Sequence, residues 1–458
     1  MSVVPQEFKI DAKPVKMLTS HEYEMAEVRA DDTETKNLTN IRIQLKDVST
    51  FTNLYHGYLE LRVRVRKDAL NAGAEVVYAN GTNIAIANGI NSLFSRCVLR
   101  VQNQIVETLD EQHLTYMVKS LLHYSEDYAR SSGSNEFYFK DTGDLNATAT
   151  SVKEFNITFV TPGTAGDGIT DVVSNPAYNK GFVERKARTN STDGNFKVVT
   201  CILPLASLFG FCSIDRVMSG NQIAIELTKS GAEQHLHRVN GVDDGFVSLD
   251  KVAMWVPRIL PNTEVELGLK SALGGGVVSD YHFPTYNSYV SSNLPTSAGT
   301  NVFKVLTQSE KILHAFVMLR KSISSQEDVK CLTRDEVQTL EVRLNGKTYP
   351  SRRYDALKTE EGKARAYYEL LNYMNRGDDF SSGIQLSLEE FKTRSIYSFD
   401  LSNQSENWSK SPSTLEVVGS LDASGGNPAE DRQWLVCVVS ERGVQISYAG
   451  SQPVVSIM

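Results

Sequence analysis

Two histidines at alternate positions, His235 and His237, are the best candidates for a metal site in this sequence. Alternate residues of a strand share a face, so the two imidazoles could share one ion. A catalytic zinc needs three protein ligands, and neither a cysteine nor a third histidine lies near this pair in the sequence. The spacing therefore favours solvent-facing strand histidines over a metal centre.

Paired aspartates, which could serve acid–base catalysis or bind calcium, occur in three polar segments. They are Asp31-Asp32, Asp243-Asp244 and Asp378-Asp379. Acid–base catalysis needs two carboxylates in unlike environments across a cleft, whereas neighbours in a loop point in different directions. The spaced D-x-[DN]-x-[DN]-G pattern of a calcium loop is missing. We interpret these pairs as solvated loop residues, and a calcium site built from such loops is the alternative.

The sequence carries none of the common catalytic or nucleotide-binding motifs. It has no G-x-x-x-x-G-K-[ST], no G-x-G-x-x-G after a strand, no G-x-S-x-G and no H-E-x-x-H. The glycine run at 274–276 precedes a strand rather than a helix, so it indicates a turn and not a phosphate site. The sequence therefore predicts neither an enzyme nor a bound cofactor or metal.

Three arginines, Arg62, Arg64 and Arg66, alternate with apolar residues along one predicted strand. On an exposed face, their guanidinium groups could meet phosphate or the carboxylates of a neighbouring subunit. The alternative is that acidic residues on adjacent strands pair with them. They are the candidate intersubunit or genome-facing charges of this chain.

The elements that would position these residues are mainly short strands. Period-two alternation recurs at intervals of roughly 8–12 residues, with Gly, Asn and Pro between the strands, which is typical of β-sandwiches. Convincing helices are few and do not alternate regularly with strands. Each half of the 458 residues has room for eight strands, which fits a jelly roll.

A strand–turn–helix unit occurs twice, about half the chain apart. The first copy turns at Gln102-Asn103 and precedes a helix at 116–124, and the second turns at Asn345-Gly346 and precedes a helix at 363–375. A long all-β chain that repeats one unit is predicted to contain two copies of one module. The predicted fold class is therefore all-β, with two consecutive eight-stranded jelly rolls, short helices and long loops.

The domain limits follow from the same pattern. Residues 1–38 are polar and lack periodicity, so they are predicted to form an N-terminal arm. The first jelly roll is placed at 39–258 and contains a long loop at 126–195, which is rich in Gly, Ser, Thr, Asn and Asp. The second jelly roll is placed at 259–458.

Composition indicates a soluble protein made inside a cell. The net charge of −8 argues against nucleic-acid binding over the whole surface, although a local basic patch is compatible with it. The N-terminus lacks the features of a signal peptide, and no apolar run is long enough to span a bilayer. The five cysteines are scattered, and Cys97, Cys201 and Cys437 lie among apolar strand residues, which predicts small buried hydrophobes in a reducing interior.

Six segments, four in the first half and two in the second, resemble double jelly-roll major capsid proteins of the Polinton, adintovirus and virophage type, in the adenovirus-hexon-like lineage, and they occur in the family's order. They cover an "SLF" turn, a strand with a polar Asn-bearing turn, a helix ending near "LLxY", a proline-initiated turn, an "LNG…P" turn and an "FDL" strand. The segments are 91–95, 99–107, 116–124, 204–209, 344–350 and 396–401. The first turn departs from the family pattern, since it reads Gln102-Asn103-Gln104 instead of Asn-Gly.

The resemblance implies a structural protein of the virion, synthesised in the host cell and not secreted. It implies a homotrimer with a pseudo-hexagonal outline that tiles an icosahedral shell of a DNA virus or virus-like element. Its partners would be neighbouring capsomers, penton proteins and minor or cement proteins, without sequence-specific nucleic-acid binding. The arm at 1–38 would contact a neighbour, an internal membrane or the genome.

Two other functions remain compatible with the sequence. A double jelly-roll scaffold would form lattices and be absent from mature particles. A carbohydrate-binding β-sandwich would need exposed aromatic residues or a glycosidase-like pair of carboxylates. Trp255 and Trp434 lie in apolar strand sequence, which favours core positions over a sugar-binding platform.

Overall fold

The computed structural model describes most of the chain in separate ranges. These are residues 21–31, 38–46, 51–67, 78–79, 84–87, 89–141, 153–158, 168–174, 179–191, 194–219, 222–238, 245–261, 278–295, 299–307, 311–321, 337–374, 386–393, 396–402, 413–421, 432–448 and 453–457, with the single residues 82, 263, 267, 271 and 276.

Twenty-three strands are described, fourteen of them in the first half of the chain. These fourteen are β1 (His21–Arg29), β2 (Asn40–Leu45), β3 (Phe51–Thr52), β4 (Tyr58–Arg66), β5 (Ile84–Ile86), β6 (Phe94–Val101), β7 (Gln104–Asp110), β8 (Lys153–Thr158), β9 (Gly168–Ser174), β10 (Val199–Pro204), β11 (Met218–Ser219), β12 (Ile223–Lys229), β13 (Leu236–Arg238) and β14 (Phe246–Pro261).

The second half contains the other nine. They are β15 (Val278–Val290), β16 (Gly299–Leu306), β17 (Lys311–Lys321), β18 (Val337–Leu344), β19 (Lys347–Tyr354), β20 (Tyr397–Asp400), β21 (Thr414–Leu421), β22 (Arg432–Ser447) and β23 (Val454–Ile457).

The helices are short and lie between strands. They are α1 (Gln112–His123), α2 (Glu126–Arg130), α3 (Ser132–Asn135), α4 (Lys180–Thr189), α5 (Leu205–Leu208), α6 (Ala232–His235), α7 (Glu360–Tyr373) and α8 (Leu388–Thr393). In the described part of the chain, none of them is long and apolar enough to cross a membrane.

Each half builds two antiparallel sheets from eight main strands, and both halves use the same strand order. In the first half the orders are β1-β14-β4-β10 and β2-β12-β6-β7, with β3 and β11 extending the first sheet. In the second half they are β15-β22-β17-β20 and β16-β21-β18-β19. When the eight main strands of each half are renumbered 1 to 8 along the chain, the two sheets of both halves have the orders 1-8-3-6 and 2-7-4-5. This is the Greek-key order of a jelly roll, so the predicted all-β double jelly roll is confirmed.

The strand β1 is the first strand of the first jelly roll, although the sequence predicts an arm over residues 1–38. All nine of its residues pair with β14, just as β15 pairs with β22 in the second half. Its described side chains are at most partly buried, so its alternation carries little hydrophobic signal. Residues 1–20 and 32–37 lie outside the described residues, and the domain limits stay a prediction.

The repeated unit is a two-residue hairpin followed by a helix in both halves. Gln102 and Asn103 connect β6 to β7, and Asn345 and Gly346 connect β18 to β19. All four have a positive φ, between 48° and 83°, as a type I′ turn requires at both central positions. The helices α1 and α7 follow these hairpins, so the repeat marks the equivalent corner of the two jelly rolls.

The segment 126–195, predicted as a long loop, contains α2, α3, α4 and a hairpin of β8 and β9. The helix α4 packs on the first jelly roll, where Phe182 and Arg185 are fully buried. The sequence hides this helix because Phe182 and Val183 are its only large apolar residues.

The sequence predicts strands at the positions of seven of the nine strands of the second half, including β17, and does not predict β19 or β23. Two strands predicted at 433–440 and 443–449 are the single strand β22, which is buried along most of its length. The sequence also predicts a helix at 264–270, a range of which the structure describes only Leu267, which is helical and exposed.

The cysteines Cys97, Cys201, Cys212 and Cys437 are buried and form no disulfide. The prediction that Cys97, Cys201 and Cys437 are small buried hydrophobes is therefore confirmed. Burial raises the pKa of the Cys201 and Cys437 thiols to about 12, so both stay protonated and unreactive at neutral pH. Cys331 lies outside the described residues.

Candidate functional site

The structure buries His235 and His237, so the prediction of solvent-facing strand histidines is wrong. His235 ends α6, and its Nδ1 lies 3.2 Å from Ser230 Oγ. His237 lies in β13, which pairs with β5, and its ring is 4.5 Å from that of Phe182 in α4. Among the described residues, no three His, Cys, Asp or Glu come together as a metal-binding group.

Of the three predicted aspartate pairs, the structure describes only Asp31. It is exposed, and its backbone N–H donates to the carbonyl of Arg42 at 2.8 Å. The other five aspartates lie outside the described residues; they are Asp32, Asp243, Asp244, Asp378 and Asp379.

The three candidate arginines of β4 lie in different environments. Arg62 keeps 50% of its side chain exposed and approaches Glu60 at 3.3 Å. Arg64 is paired with Asp250 at 2.5 Å, whereas Arg66 is 1% exposed, with its guanidinium over a phenylalanine ring. Acidic partners within the chain therefore neutralise Arg62 and Arg64. The intersubunit or genome-facing role stays a prediction, and Arg62 is the only one of the three with much exposed surface.

The same sheet carries a charge network that joins three strands. Lys251 Nζ of β14 lies 2.9 Å from Glu60 of β4 and 2.9 Å from Glu27 of β1. The indole N–H of Trp255 also donates to Glu60, at 2.9 Å. Burial opposes ionisation of Glu60, but the bonds from Lys251 and Trp255 hold the pKa of this carboxyl below its usual value. The network thus fixes β1 to its sheet in addition to the backbone ladder.

The two jelly rolls exchange elements across the junction between them. The helix α1 follows the first hairpin, yet four of its residues belong to the hydrophobic core of the second jelly roll; they are Leu114, Met117, Val118 and Leu122. In return, Tyr281 and Phe283 of β15 belong to the core of the first, together with residues of β22 and β23. Separating the two jelly rolls would expose both sets of apolar side chains to water.

A buried carboxylate, that of Glu107 in β7, lies at the centre of this junction. Its Oε1 accepts from the backbone N–H of Gly210 at 3.1 Å and from the hydroxyl of Thr285 at 2.9 Å. Its Oε2 accepts from the backbone N–H of Phe211 at 3.0 Å. Burial raises the pKa of Glu107, against the effect of these bonds and of the nearby Arg442. One side chain thus joins β7, the loop after α5 and β15.

Further polar contacts follow α1 along the junction. The hydroxyl of Thr115 donates to that of Ser288 at 2.9 Å, and the backbone N–H of Asp110 donates to Asn287 Oδ1 at 3.3 Å. Lys119 Nζ donates to a backbone carbonyl at 3.0 Å and lies 4.9 Å from the ring centroid of Tyr286. The junction is therefore specified by directional bonds as well as by apolar packing.

Sequence reasoning missed Glu107 as a junction residue. A glutamate between Val106 and Thr108 has the ordinary appearance of a solvent-facing strand residue. Its strongest partner outside the first half, Thr285, is 178 residues away. No local pattern contains this information, because burial of Glu107 depends on how the two jelly rolls dock.

Acidification below about pH 6.5 is expected to destabilise the protein through three buried histidines. Burial lowers the pKa of His113, His235 and His314 to about 3 each. Between pH 6.5 and 3 each takes up a proton only on unfolding, so each reduces the free energy of unfolding by about 1.4 kcal/mol per pH unit. Glu136 opposes this trend, because burial raises its pKa to about 7 and protonation relieves its buried charge.

Urea unfolding of the full chain at pH 4 to 8 would measure this dependence. A His235→Gln variant should have a shallower pH slope than the parent protein. A His282→Gln variant, which replaces a histidine whose side chain is 51% exposed, is the matched control for the loss of a histidine. If His235→Gln and the parent had the same pH slope, burial of neutral His235 would not contribute to the loss of stability at low pH.

This chain has two jelly rolls in tandem that exchange elements between their cores, and its fold is therefore a double jelly roll. The chain is similar to a protein in the 3.5 Å cryo-electron microscopy structure of the Sputnik virophage, with a TM-score of 0.60 and 10% identity over 100% of this chain and 93% of that one. It is also similar to the mavirus major capsid protein, with a TM-score of 0.54 and 10% identity over 99% of this chain and 93% of that one. These likenesses confirm the resemblance at the level of the fold. No protein-family model and no curated protein matches the sequence.

Proposed function

We propose that this chain is a major capsid protein that forms trimeric, pseudo-hexagonal capsomers in the icosahedral shell of a DNA virus or virus-like element. The observation that carries this proposal is the full-length likeness to the mavirus major capsid protein and to the Sputnik virophage structure. A locked pair of equivalent jelly rolls suits the role, because three such pairs have six similar lobes. The contacts between subunits would be heterologous, each patch meeting a different patch.

The edge strand β16, which has one edge without a strand partner in the described structure, supports assembly with further copies of the chain. In the described part of the chain, β16 pairs with β21 alone, while its equivalent β2 has its outer edge bridged by Ala30. Two apolar residues of β16 face solvent, Val302 at 54% and Leu306 at 72% exposure. An exposed edge with apolar side chains favours association with another chain.

The location and partners follow from this proposal. The chain would be made in the host cell interior and would reside in the virion, beside neighbouring capsomers, penton proteins and minor or cement proteins. Arg62 is the candidate for an intersubunit or genome-facing contact, and the residues before β1 for contact with an internal membrane or the genome. The likeness is to structural capsid proteins, which supports a role without catalysis.

No observation on the described residues specifically supports either alternative function. A carbohydrate-binding platform would need exposed aromatic rings, but Trp434 is fully buried, and the indole of Trp255 is partly buried and engaged by Glu60. Trp408 lies outside the described residues. A scaffold lattice has the same fold as a capsid and differs only in its absence from mature particles.

The purified full chain is expected to be a trimer by light scattering and to have a hexagonal outline by negative-stain microscopy. The double variant Val302→Glu/Leu306→Glu should shift it to monomers, because burying two carboxylates at an interface costs several kcal/mol. Tyr368→Glu is the control, since this residue is 52% exposed on α7, away from β16. A parent chain that stays monomeric would contradict the capsid proposal, whereas a trimeric double variant would contradict only the role of β16.

A further inference from the structure

A cavity of about 590 Å³ lies between the C-terminal end of α7 and the sheet formed by β15, β22, β17 and β20. The helix contributes Glu369, Asn372 and Tyr373 to its lining, and β15 contributes Tyr286. The cavity adjoins the junction, because Tyr286, whose ring also contacts Lys119 of α1, forms part of its lining. We refer to it as the α7 cavity.

The rings of Tyr373 and His314 form one wall of the α7 cavity, and Tyr373 also contacts Phe316. The centroid of the Tyr373 ring lies 3.8 Å from that of His314, and 4.8 Å from that of Phe316 at an interplanar angle of 80°. The imidazole is held by Ser398, whose Oγ lies 2.7 Å from His314 Nε2. Since burial lowers the pKa of His314 to about 3, this wall is uncharged at neutral pH.

The charged groups of the described lining are two carboxylates, and the nearest cation that contacts the lining is Lys119, 4.9 Å from the ring centroid of Tyr286. Glu369 and Asp400 both reach solvent, and no described lining residue is Lys or Arg. Asp400 is oriented by its own turn, since its Oδ1 accepts from the backbone N–H of Ser402 at 2.9 Å and from the Ser402 hydroxyl at 2.6 Å. The α7 cavity therefore combines two carboxylates with aromatic surface.

Catalysis by Ser398, His314 and Asp400 is a poorer explanation of the same residues. Ser398 is only 3% exposed, which hinders attack on a substrate. A histidine with a pKa of about 3 is a weak general base at neutral pH. The bonds from Ser402 also engage Asp400 elsewhere, so the elements of a nucleophilic triad are not assembled.

We propose that the α7 cavity binds an organic cation, an ammonium or guanidinium group, between its aromatic wall and the carboxylates of Glu369 and Asp400. Tyrosine faces attract such cations electrostatically, and carboxylates add charge-assisted hydrogen bonds. The same chemistry is offered by a free polyamine and by a Lys or Arg side chain of another polypeptide. The proposal goes beyond the capsid function and requires no assembly.

Isothermal titration of the full chain with spermidine tests the site. We expect saturable binding, and the double variant Glu369→Gln/Asp400→Asn should weaken it about tenfold or more, because two charged acceptors become neutral. Glu361→Gln is the matched control, an exposed carboxylate on the same helix that does not line the cavity, and it should bind as the parent does. Absence of saturation, or equal affinity in the double variant, would overturn the proposal.

Two further titrations separate the aromatic contribution and the source of the cation. Tetramethylammonium should bind more tightly than sodium at equal ionic strength, because only the former gains from contact with aromatic faces. Equal binding of these two ions would overturn the role of the aromatic wall. A blocked tripeptide with a single central arginine, Gly-Arg-Gly, addresses the source: tighter binding than spermidine supports a polypeptide side chain, and weaker binding supports a free polyamine.

Discussion

Replacing Gly210 by alanine is expected to lower the free energy of unfolding by about 3 kcal/mol. A Cβ at this position would lie 2.0 Å from the carbonyl oxygen of Pro284 and 3.1 Å from a ring carbon of Phe283. The closest obstacle is backbone of β15, so relief of the clash requires the second jelly roll to move away from the first. Urea unfolding followed by tryptophan fluorescence would measure the change.

The matched control is another glycine, Gly299→Ala. No atom lies within 4 Å of a Cβ built on Gly299. The backbone of Gly210 is right-handed helical, with φ −62° and ψ −37°, so alanine meets no conformational strain there and the clash alone is tested. A Gly210→Ala variant as stable as Gly299→Ala would show that the junction is loose enough to absorb a methyl group.

Features encoded by neighbouring residues were predictable from the sequence. The turn at Asn345-Gly346 favours positive φ at both central positions, and the same hairpin forms at Gln102-Asn103 although neither residue is glycine. Period-two alternation located most long strands, including β4 and β17. Local chemistry therefore sufficed for the fold class and for the internal repeat.

Features created by distant contacts were not predictable. Period-two alternation places Arg62, Arg64 and Arg66 on one side of β4. Burial of Arg66, however, depends on which other part of the polypeptide covers the end of that strand. His237 is buried because β5 and α4 enclose β13, and neither element is adjacent to it in sequence. The sequence pattern of a strand indicates which face a residue occupies. Whether that face is buried depends on elements that are distant in sequence and pack against it.

The strand β1 illustrates the same limit at an edge. It has one strand neighbour in the described structure, β14, so its side chains need little apolar character. Its register is set by the ladder to β14 and by the contact of Glu27 with Lys251. Equivalence with β15 reveals it as a jelly-roll strand, and this equivalence appears only when the strand orders of both halves are compared.

Replacing Glu107 by alanine is expected to have the largest effect of any single side-chain truncation at the junction, about 3–5 kcal/mol. The change leaves the partly buried backbone N–H of Gly210, the buried N–H of Phe211 and the buried hydroxyl of Thr285 without their acceptor. It also opens a cavity where β7, the loop after α5 and β15 meet, which adds a packing loss. Equilibrium unfolding in urea would give the difference directly.

Two milder variants distinguish the contribution of the Glu107 carboxylate from that of the groups that donate to it. Thr285→Val removes one donor and leaves both backbone bonds to Glu107, so it should cost about 1 kcal/mol. Glu107→Gln keeps the shape but turns an amide N–H₂ towards a backbone N–H, because each carboxylate oxygen accepts from one, and it should fall between the other two. The order Glu107→Ala, Glu107→Gln, Thr285→Val follows from the number of donors left unsatisfied. If Glu107→Ala cost no more than Thr285→Val, the apolar exchange of α1 and β15 would be holding the two jelly rolls together without the carboxylate.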